Sequence, residues 1–365
     1  MKQYTSLYFV GAGGIGMSAL VRYFLAKGYK VAGYDRTQSP LTTELKAEGL
    51  EIVYEESVES IPDYCRNPET TLVVYTPAIP ASHVGLVYFR EHGFRVVKRA
   101  ELLGLITQSS KGLCFAGTHG KTTTSSMAAH IFHESPIGCN AFLGGILRNY
   151  NSNLILSEQS PFTVIEADEY DRSFHWLHPY MAVVTATDPD HLDIYGTEEA
   201  YLESFARFTS LIQPGGCLIM KKGIKLVPSV KENVKIYTYS ARDGGDFHAG
   251  NIRIGDGTIV FDFVMPEGSV ADIELGVPVE INIENAVAAM AIAWLNGVSG
   301  DDMRRAMASF KGAKRRFEFW VRRPDRVMID DYAHHPDELK ASIRSVKALY
   351  PCLLYTSPSP RDISG

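Results

Sequence analysis

Two glycine-rich turns, each set between a short apolar strand and a helix, constrain the fold of this chain most. Residues 7–10 precede the first turn, and residues 113–116 precede the second. A strand that enters a helix through a glycine turn is the repeating unit of doubly wound parallel sheets. Because the two turns begin at positions 11 and 117, they predict two separate α/β units.

The pattern beyond the second turn adds a β-rich portion and the beginning of a third unit. Residues 252–263 alternate around Asp256-Gly257 and predict a β-hairpin. After a basic run that begins at Lys314, a strand near 327–330 and a helix near 336–349 are expected. The predicted units are 1–108, 109–313 and 314–351.

Charge and cysteine content narrow the class of protein. Lys and Arg number 36 against 42 Asp and Glu, for a formal charge of -6, which argues against a nucleic-acid-binding surface. The five cysteines are scattered and form no C-x-x-C pair, so reduced thiols are expected. Since no apolar run approaches the roughly 18 residues of a membrane span, we expect a cytoplasmic protein with neither nucleic acid nor membrane as a partner.

The first turn matches the fingerprint of dinucleotide-binding proteins. Gly11, Gly13 and Gly16 have the G-x-G-x-x-G spacing, and Asp35 ends the next predicted strand. The turn requires a pyrophosphate, which NAD or a nucleotide-diphosphate sugar supplies equally well. A purely structural turn is the alternative.

The second turn is a variant of the loop that binds nucleoside triphosphates. Gly117 and Gly120 precede Lys121, which can neutralise phosphate charge, and Thr122, whose hydroxyl can ligate Mg²⁺. Phe115 stands where the usual motif has its first glycine. Its place between strand and helix favours triphosphate binding over a plain helix cap.

Acidic side chains follow two later predicted strands. Glu166 ends the strand 162–166, and His191 lies in an aspartate-rich segment after the strand 181–185. Because ligands of α/β sheets bind beyond the carboxyl ends of strands, these groups predict a Mg²⁺ site, with a solvated acidic turn as the alternative.

Two further groups of residues are weaker candidates for a functional role. Asn282 and Asn285 open an alanine-rich helix, where they cap it or contact an adenine. A charged cluster lies at the junction of the second and third units and is either functional or a hydrated interdomain face. Its members are Arg315, Arg316, Asp330, Asp331, His334 and His335.

Taken together, these segments resemble the Mur ligase family, within it the branch that joins L-alanine to UDP-N-acetylmuramate. The resemblance extends over about 340 residues in the family's order. The segments are FVGAGGIGMSAL, VVYTPAIP, KRAELLG, AGTHGKTTT, EADEYDRSF, DPDHLDIYG, NIENAVAAMA, FKGAKRRFE and DDYAHHPDEL.

The resemblance implies a Rossmann-like domain for the UDP-sugar, a central P-loop-type ATPase domain and a C-terminal Rossmann-like closing domain. It implies that the sugar carboxylate takes the γ-phosphoryl group of ATP and that the alanine amine displaces phosphate from the acyl phosphate. Lys121, Glu166 and His191 would be catalytic, and Thr122, Glu166 and His191 would hold Mg²⁺ or Mn²⁺. The implied ATP-binding residues are Gly117, Thr118, His119, Gly120, Lys121, Thr122, Thr123, Asn282, Asn285, Arg316 and Asp331. The implied UDP-sugar-binding residues are Gly11, Gly13, Gly14, Gly16 and Asp35.

Departures from the family pattern leave alternatives open. No lysine occurs between Asp193 and Lys221, where the later-acting ligases carry a modified lysine, and this favours the alanine-adding branch. Ile281 replaces a histidine beside the first asparagine, which weakens the adenine assignment. A ligase that attaches a whole peptide to the same sugar is the nearer alternative, and an NAD-dependent dehydrogenase is the more distant one.

The last residues depart from the family. After Pro351 the sequence CLLYTSPSPRDISG contains Pro358 and Pro360, which do not suit a central strand. We therefore expect residues 352–365 to be a non-native tail and the third domain to be incomplete. If the third domain is incomplete, we expect this chain alone to bind the UDP-sugar and ATP but not to complete the ligation.

Overall fold

The structure is a computed structural model that describes residues 3–242, 244–255, 257–323, 325–333 and 336–351. The tail expected over 352–365 lies outside the described residues, as do His334 and His335. In the described part of the chain, no helix is long and apolar enough to cross a lipid bilayer.

The first sheet has five parallel strands in the order β3-β2-β1-β4-β5, the order of a doubly wound nucleotide-binding sheet. Every residue of β1 is buried, as expected for a central parallel strand that is covered on both faces. The elements are β1 Ser6–Val10, α1 Ile15–Ala26, β2 Lys30–Tyr34, α2 Pro40–Ala47, β3 Glu51–Val53, β4 Thr71–Tyr75, α3 Val84–Glu91, β5 Arg95–Lys98 and α4 Arg99–Gln108.

The second sheet has ten strands in the order β15-β14-β13-β12-β11-β10-β6-β9-β7-β8. Its middle strands are parallel, and antiparallel pairing closes both edges. The strands are β6 Lys111–Ala116, β7 Asn140–Leu147, β8 Ser152–Ile155, β9 Phe162–Glu166, β10 Pro179–Val184, β11 Cys217–Lys221, β12 Lys235–Ser240, β13 Phe247–Gly255, β14 Thr258–Met265 and β15 Gly268–Glu274. The helices are α5 Lys121–His133, α6 Leu192–Tyr195, α7 Glu198–Ser210, α8 Ile281–Leu295 and α9 Gly300–Ser309.

Alternation along β6 separates two cores. Leu113 and Phe115 face a core shared with α5, α8 and α9, whereas Cys114 and Ala116 face the opposite side, because successive side chains of a strand point to opposite faces. That second core also contains Leu20 of α1 and residues of the first sheet. The two sheets are therefore joined through a common apolar layer.

Helices α1 and α4 form the contact between the sheets. α1 packs on β7 and β8, and α4 packs on the 3₁₀ segment Tyr170–Trp176. A Cβ added to Gly104 of α4 would lie 2.2 Å from the backbone oxygen of Trp176. Only a residue without a side chain permits this approach.

The chain after α9 forms a hairpin and one more helix: β16 Glu318–Arg323, β17 Arg326–Asp330 and α10 Pro336–Leu349. The sequence analysis predicts β17 and α10 but not β16. Phe317 and Leu349 are buried in the core of the central sheet. The α/β class, with an N-terminal parallel sheet and a central mixed sheet, is confirmed.

Candidate active site

The candidate site lies where β6, β9, β10 and β11 end. These strands are parallel neighbours, so their carboxyl ends meet at one edge of the central sheet. The loop 117–120 follows β6, and Glu166 is the last residue of β9. Sequence segments more than 40 residues apart are therefore brought together, as the strand-end argument predicts.

Two glycines shape the loop before α5. Gly117 has φ +141° and Gly120 has φ +85°, values that L-residues with side chains rarely adopt. A Cβ on Gly117 would meet the Thr185 hydroxyl at 2.2 Å, and one on Gly120 would meet Asn285 Oδ1 at 2.9 Å. The loop thus lies close against β10 and α8, and the start of α5 faces the strand ends.

Lys121 is held by two acceptors. Its Nζ donates to Glu169 Oε1 at 2.8 Å and to the Gly117 carbonyl at 2.6 Å. The Glu169 side chain is only 1% exposed, and its Oε2 accepts no hydrogen bond from the described residues. Burial raises the pKa of Glu169, although the Lys121 charge opposes the shift. Sequence reasoning did not identify Glu169 as a site residue; its position in the acidic run after β9 was the available signal.

Thr122 and Glu166 are also in direct contact. The Thr122 hydroxyl donates to Glu166 Oε1 at 3.0 Å, and the Gly144 N–H donates to Oε2 at 3.1 Å. Burial raises the pKa of Glu166, while Lys121 and these two hydrogen bonds lower it. Gly144, a residue of β7, is a second contributor that sequence reasoning missed.

A cavity of about 490 Å³ opens beside this loop. Asn282 and Asn285 of α8 line it and are joined by a hydrogen bond of 3.1 Å, while Asn282 also donates to the Val277 carbonyl. Glu280 is the N-cap of α8, so the asparagines are not caps. The predicted ATP-binding residues that line this cavity are Thr118, His119, Gly120, Thr123, Asn282, Asn285, Arg316 and Asp331.

Asp331 reaches the cavity from the chain after β17. Its Oδ1 accepts from the Phe317 N–H at 3.2 Å, and its Oδ2 accepts from the Ser342 hydroxyl at 2.5 Å. The Arg316 guanidinium lies 5.8 Å from the centre of the Tyr332 ring. The hairpin and α10 therefore supply part of the cavity wall.

His191 occupies a different loop. It precedes α6 with φ +52°, its ring lies 5.2 Å from that of Tyr170, and its Nε2 is 3.7 Å from Asp190 Oδ2. Among the residues the structure describes, no three His, Cys, Asp or Glu side chains cluster as a metal site would require. Thr122 and Glu166 are brought together, whereas the part of His191 in metal binding stays a prediction.

Hydrogen bonds to the Asp35 side chain hold the first glycine turn in place. Gly11 has φ +89°, and Asp35 accepts hydrogen bonds from the Gly13 N–H at 2.7 Å and the Thr37 N–H at 3.1 Å. In this structure Asp35 holds the turn in shape. Gly14 and Gly16 line a second cavity, of about 330 Å³, whose other wall includes Glu166.

Comparison with known proteins decides between the classes that such a site allows. The sequence profile of the Mur ligase family catalytic domain matches residues 6–111, and that of the Mur ligase middle domain matches residues 115–293. The chain belongs to the Mur ligase family. It is thus an ATP-dependent acid–amino acid ligase, and the dehydrogenase alternative is wrong.

Individual Mur ligases resemble the chain over nearly all of its length. The UDP-N-acetylmuramate–L-alanine ligase of Parabacteroides distasonis is 65% identical over 350 residues, which cover 96% of this chain and 76% of that protein. The ligase of the same name from Phocaeicola vulgatus is 63% identical over 345 residues, 94% of this chain and 75% of that protein. The chain spans about three quarters of the length of these relatives.

Solved structures agree. The UDP-N-acetylmuramate–alanine ligase of Thermotoga maritima superposes with a TM-score of 0.80 at 25% identity, covering 95% of this chain and 78% of that one. A murein peptide ligase from Psychrobacter arcticus gives 0.73 at 25% identity, covering 94% and 76%. The Mur ligase fold therefore holds for alanine-adding and peptide-adding relatives alike.

Proposed function

We propose that this Mur ligase joins L-alanine to UDP-N-acetylmuramate in peptidoglycan synthesis, with hydrolysis of ATP to ADP and phosphate. One observation carries the assignment: Glu166 touches Thr122 of the triphosphate loop and also lines the cavity below the first glycine turn. The ends of the two predicted nucleotide sites therefore meet at one carboxylate. The 65% identity to an alanine-adding relative supports the choice of amino acid.

The reaction needs two displacements. A carboxylate oxygen of the sugar attacks the γ-phosphorus of ATP, and the bond to the β-phosphate oxygen breaks to release ADP. The alanine amine then attacks the acyl carbon, loses a proton, and phosphate leaves. We assign the backbone N–H groups of the loop 117–120 and Lys121 to positioning the triphosphate and neutralising its charge. Binding of ATP would draw Lys121 Nζ from Glu169 towards the phosphates.

We further propose that Mg²⁺, or Mn²⁺ in its place, binds with the ATP. Thr122 Oγ1 and Glu166 Oε1 are oxygen donors 3.0 Å apart at the start of α5, which suits a hard cation. When bound, the metal would neutralise charge on the phosphate oxygens. His191 is the third ligand that we propose, and Gly144 orients Glu166 through its N–H.

The peptide-adding alternative shares the fold, so substrate choice must be measured. We would follow ADP release by the purified chain with UDP-N-acetylmuramate and L-alanine, glycine, L-serine or a tripeptide, and would measure binding of each nucleotide by calorimetry. We expect UDP-N-acetylmuramate to bind, and any turnover to favour L-alanine. Turnover with the tripeptide alone would transfer the chain to the peptide-adding branch.

The cellular location that we propose is the cytoplasm. Cys65, Cys114, Cys139 and Cys217 are free and buried, as suits a reducing compartment.

A further inference from the structure

The 330 Å³ cavity lies between the two sheets, and both charge signs are present among its lining residues. One wall is the first glycine turn, with Gly14 and Gly16, and the opposite wall belongs to the central sheet, with Glu166 and Asp168. Arg99, the first residue of α4, lies in the same cavity. It is the only Lys or Arg among the described residues that line it.

Arg99 has an unusual lack of partners. Its guanidinium lies directly over the first turn, since a Cβ on Gly16 would come within 2.8 Å of Nη1. The side chain is half-buried, yet no described residue forms a hydrogen bond or ion pair with it. The neighbouring cations are paired: Lys98 with Asp171 at 2.9 Å, and Arg95 with Glu101 at 3.5 Å.

A partly desolvated guanidinium is stabilised by an anion, and no described carboxylate forms an ion pair with Arg99. The other charged groups in the cavity, Glu166 and Asp168, are carboxylates, and they repel any further carboxylate that enters. An acceptor carboxylate must nevertheless come close to Glu166, because Thr122 of the triphosphate loop lies 3.0 Å from it. Arg99 has the charge and the planar, forked donors that such a carboxylate requires.

We propose that Arg99 binds the carboxylate of the acceptor sugar, holds it against the repulsion of Glu166 and Asp168, and so selects a carboxylated UDP-sugar over a neutral one. The proposal rests on the proposed function and names the group that recognises the reacting end of the substrate. Arg99 contacts the substrate and takes no proton from it.

The test compares two UDP-sugars that share the diphosphate and differ in the carboxylate. Binding of UDP-N-acetylmuramate and of UDP-N-acetylglucosamine is measured by calorimetry for the full chain and for Arg99→Gln, Arg99→Lys and Arg95→Gln. We expect Arg99→Gln to weaken UDP-N-acetylmuramate about 10- to 100-fold, the range for a lost hydrogen-bonded charge, and to leave UDP-N-acetylglucosamine unchanged. Arg99→Lys retains the charge but not the fork and should fall between. Arg95→Gln removes an equal charge outside the cavity and should bind like wild type.

Each other outcome has its own meaning. Equal weakening of both sugars by Arg99→Gln would assign Arg99 to the diphosphate and overturn the proposal, and so would wild-type binding of both. If the wild-type chain fails to bind UDP-N-acetylmuramate, the proposed function itself fails. Melting temperature and ATP affinity report on folding. If Arg99→Gln does not fold, the ratio of the two Kd values in Arg99→Lys decides, and an unchanged ratio contradicts the proposal.

Discussion

At the scale of single residues, the pair Lys121–Glu169 couples nucleotide binding to stability. Lys121→Ala removes a phosphate ligand and leaves the Glu169 carboxylate, 1% exposed, without its cation. Breaking a buried pair in this way costs about 3–5 kcal/mol. We therefore expect Lys121→Ala to lose ATP binding and also to unfold at lower denaturant concentration.

The double variant Lys121→Ala/Glu169→Gln separates the two effects. Removal of the orphaned charge should restore much of the stability, whereas ATP affinity should stay lost because the lysine is still absent. Urea unfolding and ATP calorimetry on the three proteins provide the measurement. Recovery of ATP binding in the double variant would contradict the role assigned to Lys121, and binding of the UDP-sugar should be unaffected throughout.

Gly144 offers a sharper test of how Glu166 is positioned. A Cβ at Gly144 would lie 2.4 Å from Glu166 Oε2 and 2.5 Å from Oε1, so the carboxylate must move in Gly144→Ala. We expect the Mg²⁺ concentration that supports half-maximal ATP binding to rise about tenfold, as when a group that orients a metal ligand is lost.

The adjacent glycine is the matched control for that substitution. In Gly145→Ala the new Cβ would be 3.3 Å from Ala313 Cβ and 3.4 Å from Thr122 Cγ2, contacts that small shifts relieve. Calorimetric titration with ATP over a range of Mg²⁺ concentrations compares the two variants. Equal behaviour of both would show that the distance from Gly144 to Glu166 is unimportant.

At the scale of elements, α4 is held by its close approach to the segment Tyr170–Trp176. Gly104→Ala places a Cβ 2.2 Å from a backbone oxygen, which cannot rotate away, so α4 must shift. We expect a loss of about 1–3 kcal/mol, as in overpacked cores. Because α4 begins at Arg99, binding of UDP-N-acetylmuramate should weaken as well.

Gly85→Ala in α3 is the control for helix propensity. There the nearest atom to the new Cβ is His83 Cε1 at 3.3 Å, part of a side chain, and alanine favours the helix by up to about 1 kcal/mol. We expect Gly85→Ala to be neutral or stabilising in thermal unfolding. A Gly104→Ala protein as stable as wild type would show that α4 and the segment Tyr170–Trp176 can move apart without loss of stability.

The elements that sequence alone predicts are those with an uninterrupted apolar run or a clear apolar–polar alternation. The strand expected at 162–166 is β9, and the hairpin expected at 252–263 lies within β13 and β14. By contrast β7 goes unpredicted, since Gly144-Gly145 within it weakens the strand pattern. Gly144 is present for a tertiary reason, the close approach of Glu166, which local sequence does not encode.

The candidate site divides in the same way. Lys121, Thr122 and Glu166 follow strand ends, and the position of a strand end is a local property that motif spacing captures. Glu169 matters because Lys121, distant in sequence, lies beside it, and Arg99 matters because no described carboxylate pairs with it. Such relations depend on how α4 and the two sheets pack, so they emerge only from the structure.

At the scale of the whole molecule, His130 links parts of the central unit that are far apart in sequence. Its Nδ1 lies 2.6 Å from the Tyr150 hydroxyl, which in turn donates to Glu134. Its Nε2 lies 2.9 Å from the Ser309 hydroxyl at the end of α9. Burial lowers the pKa of His130 from 6.5 to about 4, against the raising effect of Glu134.

This shift predicts how global stability depends on pH. Between pH 4 and 6.5 the unfolded chain binds a proton at His130 and the folded protein does not, so acidification favours unfolding. The stability that the folded protein has with a neutral His130 is fully present above pH 6.5 and is lost as the pH falls towards 4. For a side chain that is 1% exposed, the loss of stability between pH 7 and pH 4.5 is roughly 2–3 kcal/mol.

We expect His130→Gln to be less stable than wild type at pH 7 but to lose less stability on acidification. The measurement is the free energy of urea unfolding at both pH values. His133→Gln, exposed and one turn away, should retain the wild-type difference. If His130→Gln loses as much stability as wild type between the two pH values, His130 is not the group that titrates.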